Sequence, residues 1–217
     1  MEWDGQSIWS LGSNHSKGVC VLFNRNYNFD YCDVVCDVNR HYISFDLKIE
    51  NSKFHFLNVY APNIPNERIS FFKMIQRYVN KDYENVVGGD FNCTLNPLID
   101  RLNCTGLNDV GNRELLEIMH KFDLEDVCRR RRPEKKMFSW SRGIKASRID
   151  MWLISKSLDN QVDKCKYKVC PLSDHDIAEV TFRTSETKFG KGIWKMNTDI
   201  LMSELFQKSF KSFWSHW

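Results

Sequence analysis

The sequence predicts an α+β sandwich, and three observations carry that prediction. Strand candidates in the first half are separated by short, turn-like segments, and helical periodicity begins only after Pro62. Further strand candidates follow a second helical segment. Strands grouped at hairpin spacing fit antiparallel sheets flanked by helices better than a strict βαβ alternation with its parallel sheet.

In chain order, Gly18-Val19-Cys20-Val21-Leu22-Phe23 is a short apolar run after a Gly/Ser/Asn-rich loop, as a buried strand reads. Tyr31 to Val38, Tyr42 to Ile49 and Phe54 to Tyr60 are three more strand candidates. The separators Asn39-Arg40 and Glu50-Asn51-Ser52-Lys53 make them an antiparallel meander. Asn66 is placed to cap a helix with apolar Ile69, Phe72, Ile75 and Val79 at three- and four-residue spacing. Val86-Val87 leads a strand into Gly88-Gly89-Asp90-Phe91-Asn92. A second helix near Arg113 to Phe122 carries Leu115, Leu116, Met119 and Phe122 on one side. Met137 to Trp140, Arg148 to Ile154 and Asp176 to Phe182 complete the strand candidates.

Residues 1–183 are read as one domain, and 184–217 as a linker followed by an amphipathic helix with Leu201, Leu205, Phe206, Phe210 and Phe213. Hydrophobic residues at 42% and aromatics at 13% suffice for a packed core without disulfide staples. A net charge of +3 permits a nucleic-acid partner without requiring one. No apolar run reaches the roughly 18 residues of a membrane span. The polar start Met1-Glu2-Trp3-Asp4-Gly5 lacks the apolar run of a signal peptide, so a nuclear or cytoplasmic rather than secreted protein is expected. Its eight cysteines show no C-x-x-C pair and read as reduced, buried thiols; zinc at Cys32 with Cys36, or Cys165 with Cys170, is the lesser alternative.

Three acidic clusters stand at the ends of strand candidates. In the first, Asp90 and Asn92 are two apart and, in an extended segment, face the same side; an Asx-rich turn is the alternative. In the second, Asp150 is embedded in the apolar run Ile149 to Ile154 and needs a partner, for which Arg148 is the nearest candidate. In the third, His175 lies between Asp174 and Asp176, an arrangement that can orient and charge an imidazole but also occurs in surface turns. A basic run, Arg129-Arg130-Arg131-Arg132-Pro133-Glu134-Lys135-Lys136, suits phosphate binding or nuclear import, or is a solvated charged face.

The order of these motifs is more specific than any one of them. Asn58-Val59-Tyr60-Ala61-Pro62-Asn63, then Gly-Gly-Asp-Phe-Asn, Ser-Arg-Ile-Asp and Ser-Asp-His resembles the endonuclease/exonuclease/phosphatase superfamily. Asp100-Arg101, Phe138-Ser139-Trp140-Ser141-Arg142 and Gly192-Ile193-Trp194-Lys195-Met196-Asn197 are similar to the apurinic-type endonuclease domain of LINE-type retrotransposons, the last resembling the segment leading towards a reverse transcriptase. The resemblance implies a four-layered α/β sandwich of two mostly antiparallel sheets flanked by helices. It further implies a DNA substrate, a Mg2+ or Mn2+ cofactor, and a longer parent polyprotein with a reverse-transcriptase region, and no membrane partner.

By the same resemblance, Asp90 orients the attacking water and Asn92 holds it with a phosphate oxygen. His175 contacts the scissile phosphate, Asp150 fixes the imidazole, Asp174 lies beside the metal, and Tyr60 bonds the phosphate. Ser139 and the arginines Arg129, Arg130 and Arg131 are expected against DNA. The family pattern also has a strand bearing an asparagine and a strand ending in a metal-binding glutamate before the segment around Trp3. Their absence from residues 1–217 predicts weak cation binding, an exposed sheet edge and impaired cleavage.

Overall fold

A computed structural model describes residues 3–11, 18–49, 52–104, 109–183, 204, 207, 208 and 212. The chain divides into two compact units, Met1–Thr184 and Ser185–Trp217. In the second unit Glu204, Gln207, Lys208 and Ser212 are helical and exposed. The expected linker from residue 184, the Gly192 to Asn197 motif and the apolar positions Leu201, Leu205, Phe206, Phe210 and Phe213 lie outside the described residues.

The first unit opens with β1 (Ser7–Ser10), β2 (Val19–Leu22), β3 (Asp30–Cys36), β4 (Tyr42–Ile49) and β5 (Ser52–Tyr60). Helix α1 (Pro65–Ile75) leads to β6 (Glu84–Asp90), α2 (Pro97–Asp100), β7 (Arg101–Leu102) and α3 (Asn112–Lys121). Then come β8 (Leu124–Asp126), α4 (Val127–Arg131), β9 (Trp140–Arg142), β10 (Lys145–Ser147), β11 (Asp150–Ser155), β12 (Val162–Lys168) and β13 (Ile177–Phe182). Six strands form one sheet in the order β3-β4-β5-β6-β11-β8. All its pairs are antiparallel except β5–β6, whose parallel register needs the crossover that α1 supplies.

Alternation along β4 explains the layering. Ile43, Phe45 and Leu47 face Ile8, Val19 and Phe23 around β1 and β2, whereas Tyr42 joins the opposite face. That opposite face packs Leu57, Val59, Val87 and Leu153 beneath Phe71, Phe72 and Ile75 of α1 and Leu115 and Ile118 of α3. Each large side chain buried this completely contributes about 1.5–3 kcal/mol relative to exposure. The β12–β13 hairpin, the short segment Lys156–Gln161 before it and α4 cover the far end of the sheet through Val162, Leu158 and Val127.

The α+β sandwich is as expected, with the second layer in two pieces among the described residues: the pairs β1–β2 and β12–β13. Neither β2 nor β13 has a second neighbour there. An apolar cleft of about 450 Å3 is lined by Cys20 and Val21 of β2, Ala178 of β13, and Phe45, Phe56, Val86 and Trp152 of the large sheet.

Several local expectations are corrected. Ile64, not Asn66, precedes α1, and with Pro65 at the first helical position no side-chain cap is made. Phe71 is buried and Ile69 only half-buried, so the apolar stripe is displaced from the expected one. Leu116 is exposed on α3. Strand β9 begins at Trp140, because Ser139 is drawn into the bonds described below. Cys128 and Cys165 are joined in a disulfide between α4 and β12, contrary to the expectation of reduced thiols; their Cα atoms, 5.4 Å apart, suit such a link. That pairing removes Cys165 as a zinc partner for Cys170, and Cys20, Cys32 and Cys36 are exposed rather than buried.

Candidate active site

Sheet register assembles the site. Tyr60 is the parallel partner of Asp90 across β5–β6, and Asp150 is the antiparallel partner of Asp90 across β6–β11. Directly opposed partners point to the same face, so these three side chains form a transverse row at the ends of three central strands. The paired glycines before Asp90 allow it. Gly89 has φ +132°, and a Cβ there would run into the Val59 carbonyl; a Cβ on Gly88 would strike the Trp152 ring.

Beyond Asp90 the extended alternation ends. Asn92 is left-handed, with φ 49°, so its amide rather than its side chain turns back to Asp90: the Asn92 N–H donates to Asp90 Oδ1 at 2.8 Å. The Asn92 Nδ2 donates to the Ala61 carbonyl at 2.7 Å, and Arg68 donates to the Asn92 carbonyl. Tyr60 OH accepts from Asn63 Nδ2 at 3.4 Å.

Asp150 takes His175 as its partner, with His175 Nδ1 2.9 Å from Asp150 Oδ2. Arg148 is engaged elsewhere. Fully buried, it forks onto Asp100 through Nε (2.7 Å) and Nη2 (3.1 Å) and meets Asp126 Oδ2 at 2.6 Å. Ser139 holds the backbone beneath Asp150, its hydroxyl accepting the N–H of Ile149 (3.0 Å) and of Asp150 (2.9 Å). Tyr167 OH donates to the Asp150 carbonyl at 2.8 Å.

The loop bearing His175 is fastened to the antiparallel β9–β10 hairpin and to Ser139 just before it. Asp176 N–H donates to the Ser139 carbonyl at 2.7 Å, Ser141 N–H to the Asp174 carbonyl at 2.9 Å, and Trp140 bridges His175. Asp174 is exposed and accepts the Trp140 indole N–H at 3.0 Å.

Electrostatics follow from this crowding. Burial, reinforced by the facing Asp150 carboxylate, raises the Asp90 carboxyl to about 7, against the opposing pull of the Asn92 N–H, His175 and Arg68. The hydrogen bond to Asp150 raises His175 despite partial desolvation. Asp90, Asp150 and His175 each offer a ligand atom, all within 4.8 Å of one another. Two carboxylates and an imidazole suit a divalent cation. Asp174, expected beside the metal, is outside that group. Cys32, Asp33 and Asp46 also converge on the edge strand, but Cys32 and Asp33 are exposed and Asp46 is bonded to His55 at 2.6 Å.

Residues expected against DNA are placed differently. Ser139 has no exposed surface and is spent on backbone bonds. Arg129 pairs with buried Asp100 and donates to the carbonyls of Arg132, Pro133 and Lys135. Arg130 contacts Glu125 and Asp159, and Arg131 contacts Asp159 and the Val162 carbonyl. Arg68 and Tyr167 were not anticipated, and Trp140 only as a member of the Phe138 to Arg142 motif. Arg68 left a sequence signal, a charge four residues before Phe72 on an apolar stripe.

The sheets and their order give the chain a sandwich fold of the endonuclease/exonuclease/phosphatase type, and on it Tyr60, Asp90 and Asp150 stand in one row with His175 bonded to Asp150. The particular proteins it resembles are an AP endonuclease from Archaeoglobus fulgidus (TM-score 0.67, 17% identity, 81% of this chain and 78% of that one) and the 3'-5' exonuclease NExo from Neisseria meningitidis (TM-score 0.66, 19%, 82% and 79%). The endonuclease domain of TRAS1, a telomere-specific non-LTR retrotransposon, is also similar (TM-score 0.58, 13% identity, 82% and 80%). In sequence the chain is 27% identical over 224 residues to the transposon TX1 uncharacterized 149 kDa protein of Xenopus laevis. That match takes in 100% of this chain and only 17% of the relative. No protein-family model matches the chain.

Proposed function

We propose that this chain is a divalent-cation-dependent DNA endonuclease domain of a retrotransposon-type element that nicks one strand. The observation that carries the proposal is the register-built set of Asp90, Asp150 and His175. Relatives named as AP endonucleases and as a retrotransposon endonuclease domain support the reading.

Asp90, raised towards neutral, accepts a proton from the attacking water. The water oxygen bonds phosphorus, the P–O3′ bond breaks, and the 3′ oxygen takes a proton from solvent and leaves as a hydroxyl. His175, oriented by Asp150, donates a hydrogen bond to the phosphoryl oxygen as its charge grows. Tyr60, at the other end of the row, offers a hydroxyl to the same phosphate. Asp90 and Asp150 would hold Mg2+ or Mn2+, which supplies charge neutralisation at the phosphate. Impaired cleavage is part of the proposal, because two carboxylates and an imidazole that is itself engaged with Asp150 make a weak magnesium site. A longer parent protein with a reverse-transcriptase region belongs to the same reading, as does a nuclear or cytoplasmic setting; the 17% coverage of the TX1 relative supports the longer parent and nothing further. A purely DNA-binding role has less support, since Arg129, Arg130 and Arg131 are engaged within the chain.

End analysis of nicked plasmid tests the chemistry. Nicks that a DNA polymerase extends directly support hydrolysis to a 3′-hydroxyl; nicks that require a phosphatase first contradict it.

A further inference from the structure

Arg68 lies on the inner stripe of α1, among Phe71, Phe72 and Ile75, with 6% of its surface exposed. A hydrophobic residue would pack there at lower cost, because a buried guanidinium must be compensated by acceptors. Its hydrogen-bond acceptors are two main-chain carbonyls: Nε donates to Val110 at 2.9 Å and Nη1 donates to Asn92. Room for its shaft is left by Gly111, where a Cβ would come within 3.1 Å of Arg68 Cγ.

The Asn92 carbonyl belongs to the left-handed residue that turns the chain back on Asp90. A non-glycine residue persists in that conformation only where its surroundings fix it. Three bonds do so here: the amide to Asp90 Oδ1, the carboxamide to Ala61, and the carbonyl to Arg68. The first two stay within the site strands and the residue after β5; Arg68 supplies a hydrogen bond from the turn to α1, on the opposite face of the sheet, where Phe72 also packs against Phe91.

We propose that Arg68 is a positioning residue for strand cleavage, holding the Asp90–Asn92 turn so that the Asp90 carboxylate stays aimed into the site. Its effect on cleavage rests on the endonuclease reading; its effect on the turn does not. Displacing a reacting group by about 1 Å costs on the order of 100-fold in rate. Hydrogen exchange of the Asn92 amide, measured by NMR in the parent chain, Arg68→Gln and Arg68→Lys, reads the turn directly, with Leu153 in the sheet centre as reference. Arg68→Gln is expected to speed Asn92 exchange at least tenfold relative to the parent with Leu153 unchanged, and Arg68→Lys to recover part of the protection. In magnesium-dependent nicking, kcat should fall about 10- to 100-fold with KM within twofold. Unchanged Asn92 protection overturns the proposal, as does faster exchange spread equally to Leu153, which would make Arg68 a fold residue only. A parent chain that fails to nick contradicts the endonuclease reading, while the exchange data still decide the role of Arg68.

Discussion

Asp90 and Asp150 are direct partners across the antiparallel β6–β11 pair, two carboxylates opposed on one face of the sheet. Burial is the larger cost of ionising Asp90, and repulsion between like charges so placed adds to it. On the proposed reading, a cation held between the two carboxylates offsets this cost.

Stability without metal should therefore fall as pH rises. The Asp90 carboxyl moves from an ordinary 3.8 up to about 7, so the folded state binds the proton more tightly than the unfolded state between those values. The stabilisation is fully present below 3.8 and is lost as pH rises through 7. In EDTA, Asp90→Asn should be more stable than the parent at pH 8 by on the order of 2 kcal/mol, and nearly equal to it at pH 4. Urea denaturation at both pH values checks this; a variant no more stable at pH 8 than at pH 4, relative to the parent, contradicts it.

Ser139 should matter to the fold beneath the site and not to DNA contact. Replacing it by Val leaves the amides of Ile149 and Asp150 without their acceptor. Buried donors left unpaired cost about 1–3 kcal/mol each. A fall of at least about 1 kcal/mol in unfolding free energy is expected, with the DNA affinity of the folded variant unchanged. Intact stability with weakened DNA binding would return Ser139 to the surface role read from the sequence.

The arginine run should separate by partner. Arg129→Ala strands the buried Asp100 carboxylate short of one cation and should cost several kcal/mol, on the order of 3. Arg130→Ala removes an exposed pair worth about 1 kcal/mol or less. Neither substitution should alter the salt dependence of DNA binding; a log–log slope reduced by about one per arginine would show phosphate contact instead.

Much of this arrangement is legible in the sequence, and the rest is not, for identifiable reasons. The meander β3–β4–β5 is visible because apolar runs and short polar turns are local signals. Asp90, Asp150 and His175 stand out because each interrupts an expected pattern at a strand end. Their convergence is not visible, since the β6–β11 pairing that opposes Asp90 to Asp150 joins residues far apart in sequence. The partner of Asp150 could not be chosen locally either: Arg148 is two residues away, yet Asp100 and Asp126 claim it. For the same reason the basic run was open between phosphate and solvent, and the structure assigns much of it to internal acceptors. The caps and turns around Ser139 depend on the β9–β10 hairpin meeting the His175 loop, a tertiary contact with no sequence periodicity.

The central claim, that Asp90, Asp150 and His175 form a cation-assisted phosphodiesterase site, is tested most directly by nicking of supercoiled plasmid. Purified chain is incubated with Mg2+ or Mn2+, with EDTA, and in parallel as Asp90→Ala. The account predicts slow nicking that needs the cation and is lost in the variant. Nicking that survives Asp90→Ala, or its absence from soluble, folded parent chain at saturating Mn2+, would contradict it.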